Sequence, residues 1–469
     1  MSKKRYILLL KSFARVFNSG ALLWLLFFIL NTPAFAQNDE ASRRDTIKYG
    51  TESEIANLIQ TLRTENIDYL DDELMSLIGT SRNQRILTNV FGFFGDREKR
   101  GLEERAIKAI SEREDETNET VLSAIDYLGR IRLPEAVPVL KELLNTEERR
   151  FLANGFRAIG RASSADSEMA DTAVEFLIDY YTYRNPGNDN QSIIITAIGE
   201  AGSLLGVPFL IDIALNTDGR IPLRTAALTA LAAIGDESGL EAILGCVSTN
   251  DPAVRTAAVA ALGPFSGEAV DSAILDAFRD SYYRTRIAAA QASRDRRLEA
   301  AVPFLKFRAE RDEVANVKDE SIRALGAIAN NEAVEILDNL FSERRNSIQV
   351  RVLACEMLMK IDASRFFSKI TAELNEAKAG NQTNLYNGFL KVVGEAVVDG
   401  DTAEIERAAL SFMQNGAMVE RLYGLDMAAN NNLKGLSEQI ISLARDRNET
   451  LSRRARRTAE TLGIEIPAQ

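Results

Sequence analysis

Asp251-Pro252-Ala253-Val254-Arg255-Thr256-Ala257-Ala258-Val259-Ala260-Ala261-Leu262-Gly263 is the stretch on which the fold turns. Val254, Ala257, Ala258, Ala261 and Leu262 fall at i, i+3, i+4, i+7 and i+8, which predicts a helix with one apolar stripe. Asp251 is suited to cap its start and Pro252 to sit in its first turn. Working backward, Gly235-Asp236-Glu237-Ser238-Gly239 reads as a tight turn. Leu240, Ile243, Leu244 and Val247 then form the stripe of a second helix. The unit is therefore helix, turn, helix. One such pair cannot bury its own apolar faces, and stacked neighbours complete the core.

The unit repeats. Arg255 belongs to a ladder of basic residues, Arg224, Arg255, Arg286, Lys318 and Arg351, spaced by 31, 31, 32 and 33 residues. Three positions after each come Ala227, Ala258, Ala289, Ser321 and Ala354. Seven after come Leu231, Leu262, Ser293, Leu325 and Leu358. A fixed period of this length marks a solenoid. Turns of the same kind are expected near Tyr49, Phe94, Ile131, Ile159, Ala201, Ile234, Phe265, Arg296, Ile328 and Ile361, with fainter copies near Val398 and Ala429. The expected fold is all-α: a right-handed α-solenoid of about twelve stacked helix-turn-helix repeats. Residues 131–361 hold the regular repeats, and residues 37–130 and 362–469 hold divergent ones, the last ending in a cap. Arg296 stands where the other units place an apolar residue, a local departure.

The segments VRTAAVAALG, LRTAALTALAAIGDESGLEAIL and IRALGAIANNEAVEILDNLF resemble the short HEAT-like repeats of the phycobilisome-lyase type. The resemblance implies HEAT-like repeats and says little of activity, since that family holds lyase chaperones, a di-iron hydroxylase and plain binding scaffolds. The hydroxylase branch binds iron through His-Glu pairs. This chain contains no histidine, so that activity does not carry over, and no lyase motif is present to transfer.

Residues 1–36 read as a secretory signal peptide. Lys3, Lys4, Arg5, Lys11 and Arg15 form a basic leader, Gly20 to Leu30 an apolar run of 11, and Ala34-Phe35-Ala36 a small-residue cleavage site. Cleavage is expected after Ala36; an uncleaved anchor is the other reading, although the run is short of the roughly 20 residues that span a bilayer. Loss of five basic residues takes the formal charge from −12 to −17. Such a surface repels nucleic acid and anionic lipid at long range. Trp24, the single tryptophan, leaves with the leader. Cys246 and Cys355 lie about three repeats apart, too far for a disulfide, and Cys355 occupies the slot of Leu228, Val259, Ala290 and Ile322. Export without a disulfide framework points to a bacterial periplasm. In a eukaryotic secretory setting, Asn118, Asn381 and Asn448 would be glycosylation sequons.

The absence of histidine removes Ser-His-Asp triads, Cys-His pairs and His-based metal sites. Carboxylate chemistry remains in principle, but Asp and Glu are scattered along helix faces. No catalytic residue, cofactor or metal is assigned. The basic ladder reads either as structural, each cation pairing with an acidic turn residue such as Asp236 or Glu237, or as a stripe that binds an acidic partner. Partner-binding candidates are Tyr180, Tyr181, Tyr183 and Arg184, in an insertion that swells one repeat to about 42 residues, together with Tyr282 and Tyr283. The alternative packs those rings on their own helices. The Asn188-Asp189-Asn190 run does not match a calcium loop. Arg445, Arg447, Arg453, Arg454, Arg456 and Arg457 suit either the polar face of a capping repeat or contact with a negatively charged wall or membrane. The function expected is an exported, non-catalytic scaffold that binds another protein and meets a membrane only peripherally. The alternatives are an envelope structural protein held by its Arg-rich end and, less favoured, a carboxylate-only enzyme.

Overall fold

The computed structural model describes residues 33–65, 67–184 and 186–467. The apolar run of the expected leader lies outside them, as do the side chains of residues 33–39. The described residues are helical throughout, with no strand among them. Contacts divide the chain into two compact units, with the boundary between Gly206 and Val207.

The first unit contains α1 (Pro33–Tyr49), α2 (Glu52–Glu65), α3 (Asp71–Thr80), α4 (Gln84–Asp96), α5 (Glu103–Ser111), α6 (Asn118–Arg130), α7 (Val137–Asn145), α8 (Arg149–Ser163), α9 (Ser167–Tyr183) and α10 (Asn188–Ala201). Like packs with like. Helices α2, α4, α6, α8 and α10 succeed one another in one layer, hereafter A. In the other layer, B, α1 lies beside α3, and α7 lies between α5 and α9. The A layer packs closely through small residues. A Cβ placed on Gly160 would sit 2.5 Å from the carbonyl oxygen of Ala197, so α8 and α10 approach to a distance only glycine allows there.

The second unit contains α11 (Val207–Leu215), α12 (Ile221–Ile234), α13 (Leu240–Cys246), α14 (Pro252–Ala261), α15 (Glu268–Ala277), α16 (Tyr283–Asp295), α17 (Val302–Arg311), α18 (Ala315–Ile328), α19 (Asn331–Ser342), α20 (Ile348–Ala379), α21 (Thr383–Gly394), α22 (Ala403–Asn415), α23 (Met418–Asn430), α24 (Ser437–Ala444) and α25 (Glu449–Leu462). Here the A layer runs α12, α14, α16, α18, α20 and then α21, α23, α25; in layer B, α11 lies beside α13, α17 beside α19 and α22 beside α24. Helix α20 is an A–B pair in disguise. Asp362 breaks it with φ −158° and ψ 88°, beside the turn expected near Ile361.

Local chemistry sets the boundaries. Asp251 accepts from the amides of Ala253 at 2.8 Å and Val254 at 3.1 Å, capping α14 with Pro252 at its first position. Gly235, at φ 69°, ends α12 in the left-handed conformation, and Asp236 accepts from the Ser238 amide at 2.9 Å. Val254, Ala258, Ala261 and Leu262 are buried as their spacing predicts. Val259 is buried too, because an A helix is covered on more than one side.

Three expectations change. The turn near Tyr49 joins B helix α1 to A helix α2, so it is the opposite kind of turn from its supposed equivalents. On α13 the buried face is Ala242, Ile243 and Cys246, continued by Gly239 in the turn before it; Leu240, Leu244 and the capping Val247 are half-buried. Arg296 is not a defect in its apolar slot: its guanidinium turns aside to ion-pair with Asp271 of α15.

Candidate functional site

The basic ladder follows from helix-end chemistry. Each ladder residue lies four positions after its A helix's N-cap, at the edge where the preceding B helix ends. The last carbonyls of a helix lack intrahelical partners and carry the negative end of its dipole. Arg224 Nε donates to the Ala214 carbonyl at 3.0 Å, and Arg351 Nε to the Phe341 carbonyl at 2.8 Å. Arg255 Nη1 donates to the carbonyls of Thr249 at 3.0 Å and Asn250 at 2.9 Å. Arg286 Nη1 serves Asp280 at 2.9 Å and Ser281 at 3.2 Å. Lys318 Nζ reaches the Glu310 carbonyl at 3.0 Å.

In three of the rungs the rest of the guanidinium meets a carboxylate of the next B helix. Arg255 grips Asp280 in bidentate fashion at 2.7 and 3.0 Å, and Arg286 grips Asp312 at 2.8 and 2.9 Å. Arg351 Nη2 reaches Glu373 at 2.8 Å. Asp280 and Asp312 each stand six residues before the next ladder position, and each also accepts an amide, from Tyr282 and Val314 respectively. Burial alone would raise both carboxyls. The guanidinium bond, the amide and the nearby arginine charges together outweigh it and hold both below the ordinary aspartate value. The carboxylate partners are thus Asp280, Asp312 and Glu373, not Asp236 or Glu237. Asp236 is spent capping its own turn, on the opposite edge. Nor are the pairs exposed: the side chains of Arg286 and Asp312 are 11% and 0% accessible.

The ladder also runs further than its five members. Tyr386, Arg421 and Ser452 hold the same position on α21, α23 and α25, and Arg421 donates to the Gly416 carbonyl at 3.0 Å with Asp446 at 3.9 Å. The position four after the N-cap was the signal that would have found them. Two rungs lack the carboxylate. Thr249 stands where the partner of Arg224 would be, and Arg345 where that of Lys318 would be. Neither Arg224 nor Lys318 forms an ion pair among the described residues. Cys246 fills part of the first gap, its Sγ 3.6 Å from the Ala214 carbonyl. Burial raises this thiol, against the opposing pull of Arg224. Cys355 is also free and buried, and its thiol is raised by burial.

The tyrosine candidates separate. Tyr180 belongs to the core of the first unit, edge-on to Phe156 at 4.9 Å, because the end of α9 turns it inward. Arg184 covers that ring at 5.2 Å and bonds Glu147 and Asn145, tying the insertion to the preceding B-helix end. Tyr181 is half-buried, and Tyr183 is the ring the insertion presents to solvent. Tyr282 and Tyr283, in the second unit, form a ring pair at 5.3 Å at the start of α16, and Arg284 donates to the Tyr283 hydroxyl.

Sequence reasoning missed the outer face of α17. Phe304, Phe307, Arg308 and Arg311 share that face at i, i+3, i+4 and i+7. Phe307 is half-exposed with Arg308 and Arg311 at its ring, and Arg279 lies 5.1 Å from the centre of the Phe304 ring. The spacing was a readable signal, hidden because two members are charged. In the C-terminal cluster, Arg453 pairs with Glu449 and Arg454 with Asp426, whereas Arg456 and Arg457 are exposed and form no ion pair among the described residues. A polar cleft beside Arg351 and Glu373 measures about 90 Å³, below the roughly 300–1,000 Å³ of small-molecule sites, and a more open one lined by Arg445, Asp446, Ser452, Arg456 and Pro467 measures about 350 Å³. No cluster of three metal-ligating side chains occurs among the described residues, and no described helix is long and apolar enough to cross a membrane.

Paired helices in two layers, joined edge to edge by repeated rungs, define a HEAT-repeat protein. The chain belongs to the spirochaete HEAT repeat protein family, whose model matches residues 47–458. No curated protein matches its sequence. Among solved structures, Kap121p matches with TM-score 0.44 and 10% identity, over 90% of this chain and 53% of that one. Kap121p bound to the SUMO protease Ulp1p gives 0.43 and 11%, over 93% and 54%. Human deoxyhypusine hydroxylase in complex with glycerol gives 0.25 and 16%, over 55% and 96%. The chain spans about half the length of the Kap121p chains it matches.

Proposed function

We propose that this chain is an exported, non-catalytic HEAT-repeat scaffold that binds another protein. The observation that carries the reading is the extent of the repeat: the family match takes in residues 47–458, so nearly all of the chain is surface-forming helix pairs. Such arrays offer extended faces suited to many shallow contacts. The missing histidine supports a non-catalytic role. The basic leader, the apolar run and Ala34-Phe35-Ala36 support export with cleavage after Ala36, and a family described from spirochaetes fits a bacterial periplasm. The test is crosslinking of residues 37–469 in an envelope lysate of the source cell, with contacts mapped by mass spectrometry. One dominant protein crosslinked to the repeat surface is the expected result. Measurable turnover by the purified chain, or a cytoplasmic location, overturns it.

Arg456 and Arg457, exposed and without an ion pair among the described residues, favour a second reading: an envelope structural protein held electrostatically by α25. Salt-sensitive sedimentation with wall or membrane fragments, abolished by neutralising Arg453, Arg454, Arg456 and Arg457, would establish it in place of the first.

A further inference from the structure

We propose that the outer face of α17, with the adjoining 279–284 loop, is the docking surface of the scaffold. Its occupant is a segment of a partner protein that combines carboxylates with an apolar side chain. The inference rests on the scaffold reading and gives it a place and a chemistry.

Charge comes first. Residues 278–311 contain nine Lys and Arg against four Asp and Glu, a net of +5 in a chain whose total is −12. This island draws an acidic segment toward a protein that repels it elsewhere. Part of the island is already spent: Arg286 on Asp312, and Arg294 and Arg296 on Glu320 and Asp271. Arg311, on that face, and Lys306, about a quarter-turn round the helix from Phe307 with the exposed Glu310 between them, are not. Both are exposed, and neither forms an ion pair among the described residues. Among the described residues Arg279 pairs only with Asp276, in an exposed and therefore weak contact that a partner's carboxylate can replace.

The rings supply the apolar half. Phe304 is fixed from behind by stacking on Phe278 at 5.7 Å. Phe307 stands 50% exposed, with Arg308 and Arg311 5.3 and 5.8 Å from its ring centre. Cations beside a half-exposed ring match a ligand with acidic groups flanking an apolar one. An all-carboxylate ligand leaves Phe307 wet, and a plain apolar one leaves Lys306 and Arg311 unused. Beneath the face, the Arg286–Asp312 clamp and the Arg308–Asp312 contact at 3.2 Å hold the end of α17 in place, so little ordering is needed on binding. A lipid surface would use the same cations, but a single protruding ring offers it little to insert.

The experiment is fluorescence polarisation on the full mature chain with two labelled peptides, one repeating Glu-Glu-Leu-Phe and one repeating Lys-Lys-Leu-Phe, beside co-sedimentation with phosphatidylglycerol vesicles. The acidic peptide should bind and the basic one should not. Lys306→Glu combined with Arg311→Glu should weaken binding at least about tenfold. Phe307→Ala should weaken it by about as much. Arg407→Glu, on α22, should leave it unchanged. The four altered side chains are exposed, so matching circular dichroism and melting curves will show that the variants fold. Absence of acidic-peptide binding, equal binding of both peptides, or binding indifferent to the α17 variants overturns the proposal. Vesicle binding through Lys306 and Arg311 without peptide binding replaces it with a membrane site. A partner crosslinked elsewhere on the repeats removes this surface and leaves the scaffold reading standing.

Discussion

The two units answer one structural problem in opposite ways. Four residues after the A-helix N-cap, α2, α4, α6 and α8 of the first unit place Ile55, Leu87, Val121 and Leu152, all buried and apolar, and α10 places the half-buried Gln191. At the same position the second unit places Arg224, Arg255, Arg286, Lys318, Arg351 and Arg421, with Tyr386 on α21 and Ser452 on α25 as its two uncharged members. The apolar residues gain stability by burial, about 1.5–3 kcal/mol for a side chain of that size, but they do not fix direction. The arginines gain little net energy over a hydrophobe, since desolvation offsets most of the attraction. What they add is geometry: each bonds a carbonyl at one B-helix end, and all but Arg224 and Lys318 join it to a carboxylate at the next. The comparison teaches that the second unit sets its repeat register with directional bonds, and the first with shape. The first unit meets its B-helix ends by separate local means, such as Thr146 Oγ1 donating to the Leu143 carbonyl at 2.7 Å.

The largest effect expected lies in the second unit. Asp312→Ala strands the buried Arg286 guanidinium and should cost ~3–5 kcal/mol in urea unfolding followed by hydrogen exchange at α16 and α18. The matching change in the first unit, Leu152→Ala, should cost ~2–4 kcal/mol by leaving a cavity. The double change Arg286→Met with Asp312→Leu should recover most of what Asp312→Ala loses. If it loses as much as the single variant, the rungs contribute stability as well as register, and the contrast fails. Gly160→Ala probes the shape side. Its Cβ would meet the Ala197 backbone, so ~1–3 kcal/mol should be lost in the first unit's transition and none in the second's.

Acid should separate the units next. Asp280, Asp312 and Glu420 are held below their ordinary values, with burial raising each and its bonds to cations and amides lowering it further. A depressed folded value contributes stability above the unfolded value of about 4, and that stability is lost as pH falls through the folded one. Exchange protection of α14 to α18 should therefore fall before that of α4 to α8 as pH drops below about 4. The reverse order would show that the carboxylates of the first unit, such as Glu148 with Arg113 and Arg150, matter more.

Much of this was legible in the chain, and the losses have physical causes. The 31–33-residue period, the Asp251 cap and the Gly235 turn were readable because local hydrogen bonding and helical spacing determine them. The partners of the ladder were not. Arg255 and Asp280 lie 25 residues apart, and only the return path of α15 brings them together. Tyr180 stood between two readings because interface residues and core aromatics share one chemistry; the turn of α9 onto Phe156 places its ring in the core. Phe307 was overlooked because attention to apolar stripes passes over a face half made of arginine.

The smallest effect tests the rule at its exception. Arg224 is 5% exposed and donates to the Ala214 carbonyl, yet the position that gives Asp280 and Asp312 to the next rungs holds Thr249. Thr249→Asp supplies the missing carboxylate. It forfeits one bond, from Thr249 Oγ1 to the Cys246 carbonyl at 3.2 Å, and it gains a charge-assisted one. The net expectation is a gain of ~1 kcal/mol, read as a higher urea midpoint at unchanged slope. Arg224→Met in the same background should remove the gain, because the carboxylate would then lie beside Ala214 with no cation to meet it. If T249D destabilises the second unit even with Arg224 present, the carbonyl cap alone is what the ladder provides. The carboxylates at Asp280 and Asp312 would then serve only to neutralise arginines that the cap had already committed to the interior.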